Sequence, residues 1–126
     1  METVSIRYIV ADVDAAAAFY RDLLGFAVDF QAPGAFAMLS RGVLKLMLNR
    51  PGAGGAGAAM PDGETPAPGG WNRFQLVVSD LVAEVERLKA AGASFRNEIV
   101  QGNGGQQILL KDPSSNLIEL FQPPGG

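Results

Sequence analysis

The feature that most constrains the fold is a local pattern that occurs twice along the chain. The segments "VSIRYIVADVDAAAAFYRDLLG" and "RFQLVVSDLVAEVERLKAAG" share one order: an alternating strand, an Asp, an amphipathic helix and a Gly. Asp12 and Asp80 are suited to begin the two helices, and Gly25 and Gly92 to end them. The pattern therefore predicts one structural unit built twice.

Apolar residues in both copies have the spacing that one-sided burial requires. Alternation with a period of two predicts a strand with one buried face, and spacing of three and four predicts a buried helix stripe. In the first copy the strand positions are Val4, Ile6, Tyr8 and Val10, and the helix positions are Val13, Ala16, Ala17, Tyr20, Leu23 and Leu24. In the second copy they are Phe74, Leu76 and Val78, followed by Leu81, Val85 and Leu88.

Each helix is followed by strand-like segments separated by turn residues. We expect strands near 26–31, 35–40 and 43–49, and again near 94–100, 106–111 and 116–122. The chain is thus expected to be α+β, with βαβββ modules at residues 1–49 and 71–122. Residues 50–70 are rich in Gly, Ala and Pro and have no periodicity, which predicts a linker or a flap that carries Met60 over a ligand.

Composition excludes several functions for this 126-residue chain, whose size suits a single domain. A net charge of −3 and a pI near 4.8 argue against nucleic acid as a partner. No signal segment or membrane span is evident, so we expect a cytoplasmic protein that does not insert into a membrane. Because the sequence has no Cys and no His, any activity must use carboxylates, Lys, Arg, Tyr or bound solvent.

Three segments together resemble the vicinal oxygen chelate superfamily: "VADVDAAAAFYRDLLGF", "LVVSDLVAEVERLKAAGA" and "LLKDPSSNLIELFQP". That superfamily holds glyoxalase I, extradiol dioxygenases, fosfomycin-resistance enzymes and bleomycin-resistance proteins. The resemblance implies paired βαβββ modules, each a curled mixed sheet around a shared cavity. It also implies a homodimer, because modules of this superfamily are often exchanged between two chains.

The resemblance further implies four inward-facing positions at which the enzymes of the superfamily hold a divalent metal. These positions carry Ser5, Lys45, Arg73 and Glu119 in this sequence. Of these side chains, Glu119 alone is a usual metal ligand, and the positive charges of Lys45 and Arg73 oppose a bound cation. We therefore expect neither a metal nor another cofactor.

The strand alternation and the resemblance together select a set of candidate ligand-binding residues. They combine flat apolar contacts with a few polar groups, as small-molecule pockets do. The set comprises Arg7, Phe36, Lys45, Met47, Asn49, Met60, Trp71, Arg73, Gln75, Glu119 and Phe121. Structural roles are open alternatives: a salt-bridge network of Glu119 with Arg73 and Lys45, and core or interface packing for Trp71. For Phe36, Met38 and Tyr20 packing is the favoured role.

Three hypotheses for function follow, in order of preference. The first is a binding protein without catalytic residues that sequesters a partly aromatic, DNA-damaging antibiotic and so protects the cell. The second is a metal-free isomerase, cyclase or lyase with Glu119 as base, although neighbouring cations weaken a carboxylate as a base. The third is a glyoxalase-like metalloenzyme, which the lack of His makes the least favoured.

Overall fold

The structure is a computed structural model that describes residues 2–125. Internal contacts divide the chain into two units, unit 1 up to Gly69 and unit 2 from Gly70. Unit 1 contains β1 (Ser5–Ile9), α1 (Val13–Leu24), β2 (Ala27–Ala32), β3 (Phe36–Arg41) and β4 (Leu44–Asn49). Unit 2 contains β5 (Arg73–Val77), α2 (Leu81–Ala90), β6 (Ser94–Phe95), β7 (Val100–Gly102), β8 (Gly105–Lys111) and β9 (Leu117–Gln122).

Both units have a mixed sheet of the same design. The strand order is β1-β4-β3-β2 in unit 1 and β5-β9-β8-β6 in unit 2, where β7 also pairs with β8. The pairs β1–β4 and β5–β9 are parallel, and the remaining pairs are antiparallel. The α+β class with two modules is therefore confirmed.

The repeated Asp residues begin both helices. Asp12 accepts a hydrogen bond from Ala15 N at 3.0 Å, and Asp80 accepts one from Ala83 N at 3.1 Å. Gly25, with φ 70°, caps the end of α1, because a left-handed backbone favours glycine. In the second copy Ala91 is the C-cap of α2, and Gly92 follows it with φ 89°.

The core of each unit lies between its helix and one face of its sheet. In unit 1, Tyr20 is fully buried and meets Phe19 and Phe26 edge-on, with ring centroids 5.1 and 5.4 Å away. Tyr20 is therefore a packing residue, as its helix position indicated. Val4 was expected on the buried face but is 75% exposed, because the pairing of β1 with β4 begins only at Ser5.

The strand expected at 94–100 is two short strands instead, β6 and β7. Between them the Asn97 side chain accepts a hydrogen bond from Leu109 N at 3.1 Å. A side-chain oxygen thus takes the place of a backbone carbonyl in the ladder with β8, and the strand is interrupted.

The Gly-rich segment 50–70 begins with a tight turn that includes a 3₁₀ helix at Gly55–Gly57. Gly52 N donates to Gly57 O at 2.6 Å, and a Cβ at Gly57 would lie 2.0 Å from the Arg50 carbonyl oxygen. Only glycine fits this approach. Whether the segment acts as a linker or as a flap stays a prediction. No helix within residues 2–125 combines the length and the apolar composition needed to cross a bilayer.

The turn between β8 and β9 is built around a buried carboxylate. Asp112 is 4% exposed, and its Oδ1 accepts hydrogen bonds from Ser114 N at 2.8 Å and Asn116 N at 2.9 Å. Its Oδ2 accepts a third from Asn116 Nδ2 at 3.1 Å. Because β9 starts directly after this turn, Asp112 fixes where the Glu119 strand begins.

We predict that Asp112→Ala lowers the free energy of unfolding by about 2–4 kcal/mol, because two backbone N–H groups lose their acceptor in a buried turn. Urea denaturation measures the change. The matched control is Ser115→Gly in the same turn, where φ is 66°. That variant should stay within about 1 kcal/mol of the parent, since glycine accepts this backbone conformation. Equal losses in both variants would contradict the assignment.

Candidate functional site

Strand alternation gives each sheet one face packed on its helix and a second face turned away, here called the helix-free face. On β4, Leu46 and Leu48 are fully buried toward α1, whereas Lys45 and Met47 point the other way. On β5, Phe74 is buried while its neighbour Arg73 is exposed. The candidate ligand-binding residues on strands all fall on helix-free faces.

On the helix-free face of unit 1, Arg7 is held against β4. Its Nη1 donates a hydrogen bond to Asn49 Oδ1, and its Nη2 lies 3.7 Å from Met47 Sδ. Asn49 is 4% exposed, so the amide that orients the guanidinium is itself fixed. The structure therefore brings Arg7, Met47 and Asn49 together.

The other unit 1 candidates surround this group or lie apart from it. Phe36 is the register partner of Asn49 on β3, and its ring centroid is 6.2 Å from that of Phe30. Lys45 pairs with Ser5 on β1 and Ser40 on β3. Met60 lies outside the sheet, in the Gly-rich segment, and is 47% exposed.

On the helix-free face of unit 2, Glu119 is the centre of a hydrogen-bonded group. Arg73 Nε and Nη2 each lie 3.1 Å from Glu119 Oε1, and Gln75 Nε2 donates to Oε2 at 2.6 Å. Both carboxylate oxygens therefore have a partner. The Arg73–Glu119 ion pair considered from the sequence is present, whereas a pairing of Glu119 with Lys45, which lies in unit 1, stays a prediction.

Trp71 lies just before β5 rather than on it, and its side chain is 63% exposed, so it is not a core residue. The Arg96 guanidinium lies 4.9 Å from the centroid of the indole ring. This distance allows a cation–π contact. The sequence interpretation missed Arg96, which lies just after β6, where strand alternation gives no signal.

Side chains of β8 and β9 complete the helix-free face of unit 2. Phe121, a candidate, is the register partner of Val77 and Gln107. Gln107, Leu109 and Lys111 were missed, although the buried alternates Ile108 and Leu110 imply their direction. The face thus combines aromatic, amide and charged groups.

Two surface pockets are lined by residues outside the candidate set. One, of about 460 Å³, is lined by Asp12, residues 33–35 and Arg50 at the start of α1. The other, of about 320 Å³, is lined by Lys89 and residues 93 and 95–98, and it includes Arg96. The second pocket therefore shares a side chain with the Trp71 contact.

Shifted pKa values are found at a surface pair on α1. Hydrogen bonding between the side chains lowers the pKa of Asp22 and raises that of Arg21. Both residues are exposed on the helix, so this pair does not contribute to either helix-free face.

Two βαβββ units, each with polar and aromatic side chains on a helix-free face, define the class of paired-module α+β proteins with a vicinal oxygen chelate fold. The chain belongs to the Glyoxalase/Bleomycin resistance protein/Dioxygenase superfamily, whose family model matches residues 3–120. The family resemblance seen in the sequence is thereby confirmed.

Named relatives include both enzymes and a binding protein. A lactoylglutathione lyase of Pseudomonas putida is 32% identical over 82 residues, which are 65% of this chain and 47% of that enzyme. The match thus spans about half the length of the curated relative. A lactoylglutathione lyase structure from Agrobacterium tumefaciens has a TM-score of 0.75 at 24% identity, covering 96% of this chain and 92% of that one.

The antibiotic-binding protein TnmS3 from Streptomyces sp. CB03234 has a TM-score of 0.73 at 23% identity, covering 98% of this chain and 96% of that one. A superfamily member from Sphaerobacter thermophilus DSM 20745 has a TM-score of 0.75 at 22% identity, covering 97% of each chain. Likeness at these identities shows the fold, and it does not distinguish an enzyme from a binding protein.

The side chains present do not fit the divalent metal of the superfamily. In unit 1, the two positions implied by the resemblance carry the Ser5 hydroxyl and the Lys45 ammonium, and these residues are paired in register. In unit 2, the Glu119 carboxylate is taken by Arg73 and Gln75. Among residues 2–125 no group of three or more His, Cys, Asp or Glu side chains could hold a metal ion.

We predict that Arg96→Ala changes the fluorescence of Trp71, the one Trp in the chain, because the indole loses the guanidinium stacked against it. The emission maximum and quantum yield measure the change. Arg87→Ala is the matched control, since Arg87 pairs with Glu84 on α2. Equal spectra for parent and Arg96→Ala would contradict the contact.

Proposed function

We propose that this protein is a metal-independent binding protein that holds a partly aromatic small molecule, an antibiotic, and releases it unchanged. The ligand lies against a helix-free face, and the cell is protected because the bound molecule is sequestered in the cytoplasm. The observation that carries the proposal is the contrast between Glu119, whose carboxylate is fully engaged, and Trp71, whose ring is exposed.

The engagement of Glu119 favours binding over chemistry. To act as a base, this carboxylate must give up a hydrogen bond to Arg73 or Gln75 before it can accept a proton from a substrate. Such charge-assisted bonds are stronger than neutral ones, so breaking one adds to the barrier of every turnover. A binding protein carries no such cost.

The aromatic nature of the ligand is supported by the exposed flat surfaces. Trp71 is 63% exposed and has Arg96 stacked against it, so a planar ligand can lie against the remaining surface of the indole. In the same unit as Trp71, Phe121 offers further apolar contact and Gln75 adds a polar group that can select among flat molecules. On the helix-free face of unit 1, Met47 and Asn49 both contact Arg7.

TnmS3, which is similar in fold, is an antibiotic-binding protein, so the fold is compatible with this role. We extend the role to this chain as self-protection against a DNA-damaging antibiotic.

The second candidate is a metal-free isomerase, cyclase or lyase that uses Glu119 as base. The similarity to lactoylglutathione lyases favours an enzyme, and a glyoxalase-like metalloenzyme is the third candidate. Recovery of a chemically altered ligand, with turnover, would favour the metal-free enzyme. A metal held by the protein would favour the glyoxalase-like metalloenzyme.

We predict that quinone, enediyne or glycopeptide antibiotics quench Trp71 fluorescence and that Trp71→Ala weakens binding by about tenfold to a hundredfold, because a central aromatic anchor is lost. Since this variant has no Trp, isothermal titration calorimetry measures both affinities. Trp71→Phe should keep part of the affinity. Val82→Ala is the control, because Val82 is an exposed apolar residue on α2.

The ligand recovered from the complex should have its original mass. No binding of any of the three antibiotic types to the parent protein would contradict the proposal.

We also predict a metal-free homodimer. The sheets end in edge strands, such as β1 and β2 in unit 1, and an exposed sheet edge can pair with a second chain. Symmetric dimers are the commonest oligomers. Native mass spectrometry at micromolar concentration measures both oligomeric state and bound metal. A monomer would refute the dimer, and stoichiometric Zn, Ni, Mn or Fe that survives dialysis and is lost in Glu119→Ala would refute the metal-free site.

A further inference from the structure

The helix-free face of unit 1 carries two cations that no carboxylate neutralises. Among residues 2–125, neither Arg7 nor Lys45 forms an ion pair. Arg7 is bonded to the neutral Asn49 and contacts Met47. Asp29 accepts a hydrogen bond from Ser40 Oγ at 3.1 Å, and Ser40 is the register partner of Lys45. The chain as a whole has a net charge of −3, so this positive patch is a local feature.

The register places these groups close to one another. Ser5 and Lys45 are direct partners on the parallel pair β1–β4, and Arg7 and Met47 form the next pair on the same face. Arg7 and Lys45 are thus diagonal neighbours, a spacing that long side chains can bridge. The Ser5 hydroxyl lies beside them and can donate a hydrogen bond.

From this arrangement we infer that Ser5, Arg7 and Lys45, all in unit 1, bind the carboxylate of an aromatic acid. The inference rests on the proposed binding function. A carboxylate has two oxygens, which can accept from the guanidinium and the ammonium at once. Two of the positions at which the superfamily holds a cation, Ser5 and Lys45, thereby belong to a site for an anion.

The alternative reading of the patch is a solvated cationic surface with no ligand. The fixed position of Arg7 argues against it, because the buried Asn49 amide and Met47 hold the guanidinium over β4. A side chain held in this way loses little further freedom when an anion binds. The two contacts of Arg7 lie toward the end of β4 away from Lys45, so the exposed Lys45 side chain is the group that turns toward the anion.

The test compares two probes that differ in one charge: 2-naphthoate and 2-naphthamide, titrated by calorimetry into the full chain. The parent should bind naphthoate at least about tenfold more tightly, because charge-assisted hydrogen bonds exceed neutral ones. Raising the salt concentration should weaken naphthoate more than naphthamide. Lys45→Gln and Arg7→Gln should each remove most of the preference.

The matched control is Arg41→Gln. Arg41 ends β3 opposite Leu44, is exposed, and forms no ion pair among residues 2–125. This variant removes the same charge from the same sheet and should keep the preference for naphthoate. Lys45 is also exposed and unpaired, so Lys45→Gln should fold even if Arg7→Gln, which loses the bond to Asn49, does not.

Three other outcomes of these titrations would each overturn a defined part of the proposal. Equal affinity of the parent for the two probes overturns the anion site and leaves the proposed function in place. A preference for naphthoate that persists in Lys45→Gln, or that Arg41→Gln also removes, overturns the location. Binding of neither probe overturns the anion site and counts against an aromatic-binding function.

Discussion

The packing of one helix against one face of each sheet is the constraint on which the rest of the structure depends. Each strand must give alternate positions to that contact, and in unit 1 these are filled by fully buried Leu46 and Leu48. The alternate positions on β4 and on its neighbour β1 point away from the helix. These positions carry Arg7, Lys45 and Asn49, which the core would exclude unless their polar groups were paired.

Because strand positions are divided between a face packed on the helix and a helix-free face, much of the fold can be predicted from the sequence. The Asp12 and Asp80 caps, both helices and the direction of the strand side chains follow from local spacing and short-range hydrogen bonds, which one sequence is sufficient to reveal. The break between β6 and β7 could not be read in this way. It depends on Asn97 bonding to Leu109, a contact between residues far apart in sequence.

The candidate site shows the same limit. Alternation identified Arg73, Gln75 and Glu119 as neighbours on one face, and the structure joins them through hydrogen bonds. It did not identify Arg96 as the partner of Trp71, because that contact brings together two residues outside regular strands. Strand alternation predicts side-chain direction only within strands. Segments outside the sheet often carry ligand contacts, and their side-chain directions cannot be predicted in this way.

The hydrogen bonds of Glu119 determine the role of this carboxylate in unit 2. A carboxylate left alone on a sheet face would keep its charge and attract a cation. Here Arg73 pairs with that charge and Gln75 donates to the second oxygen, so the strand pair β5–β9 gains a cross-strand contact at Glu119. In this chain Glu119 has become part of the framework of unit 2. A carboxylate held in this way must first lose a hydrogen bond before it can accept a proton from another molecule.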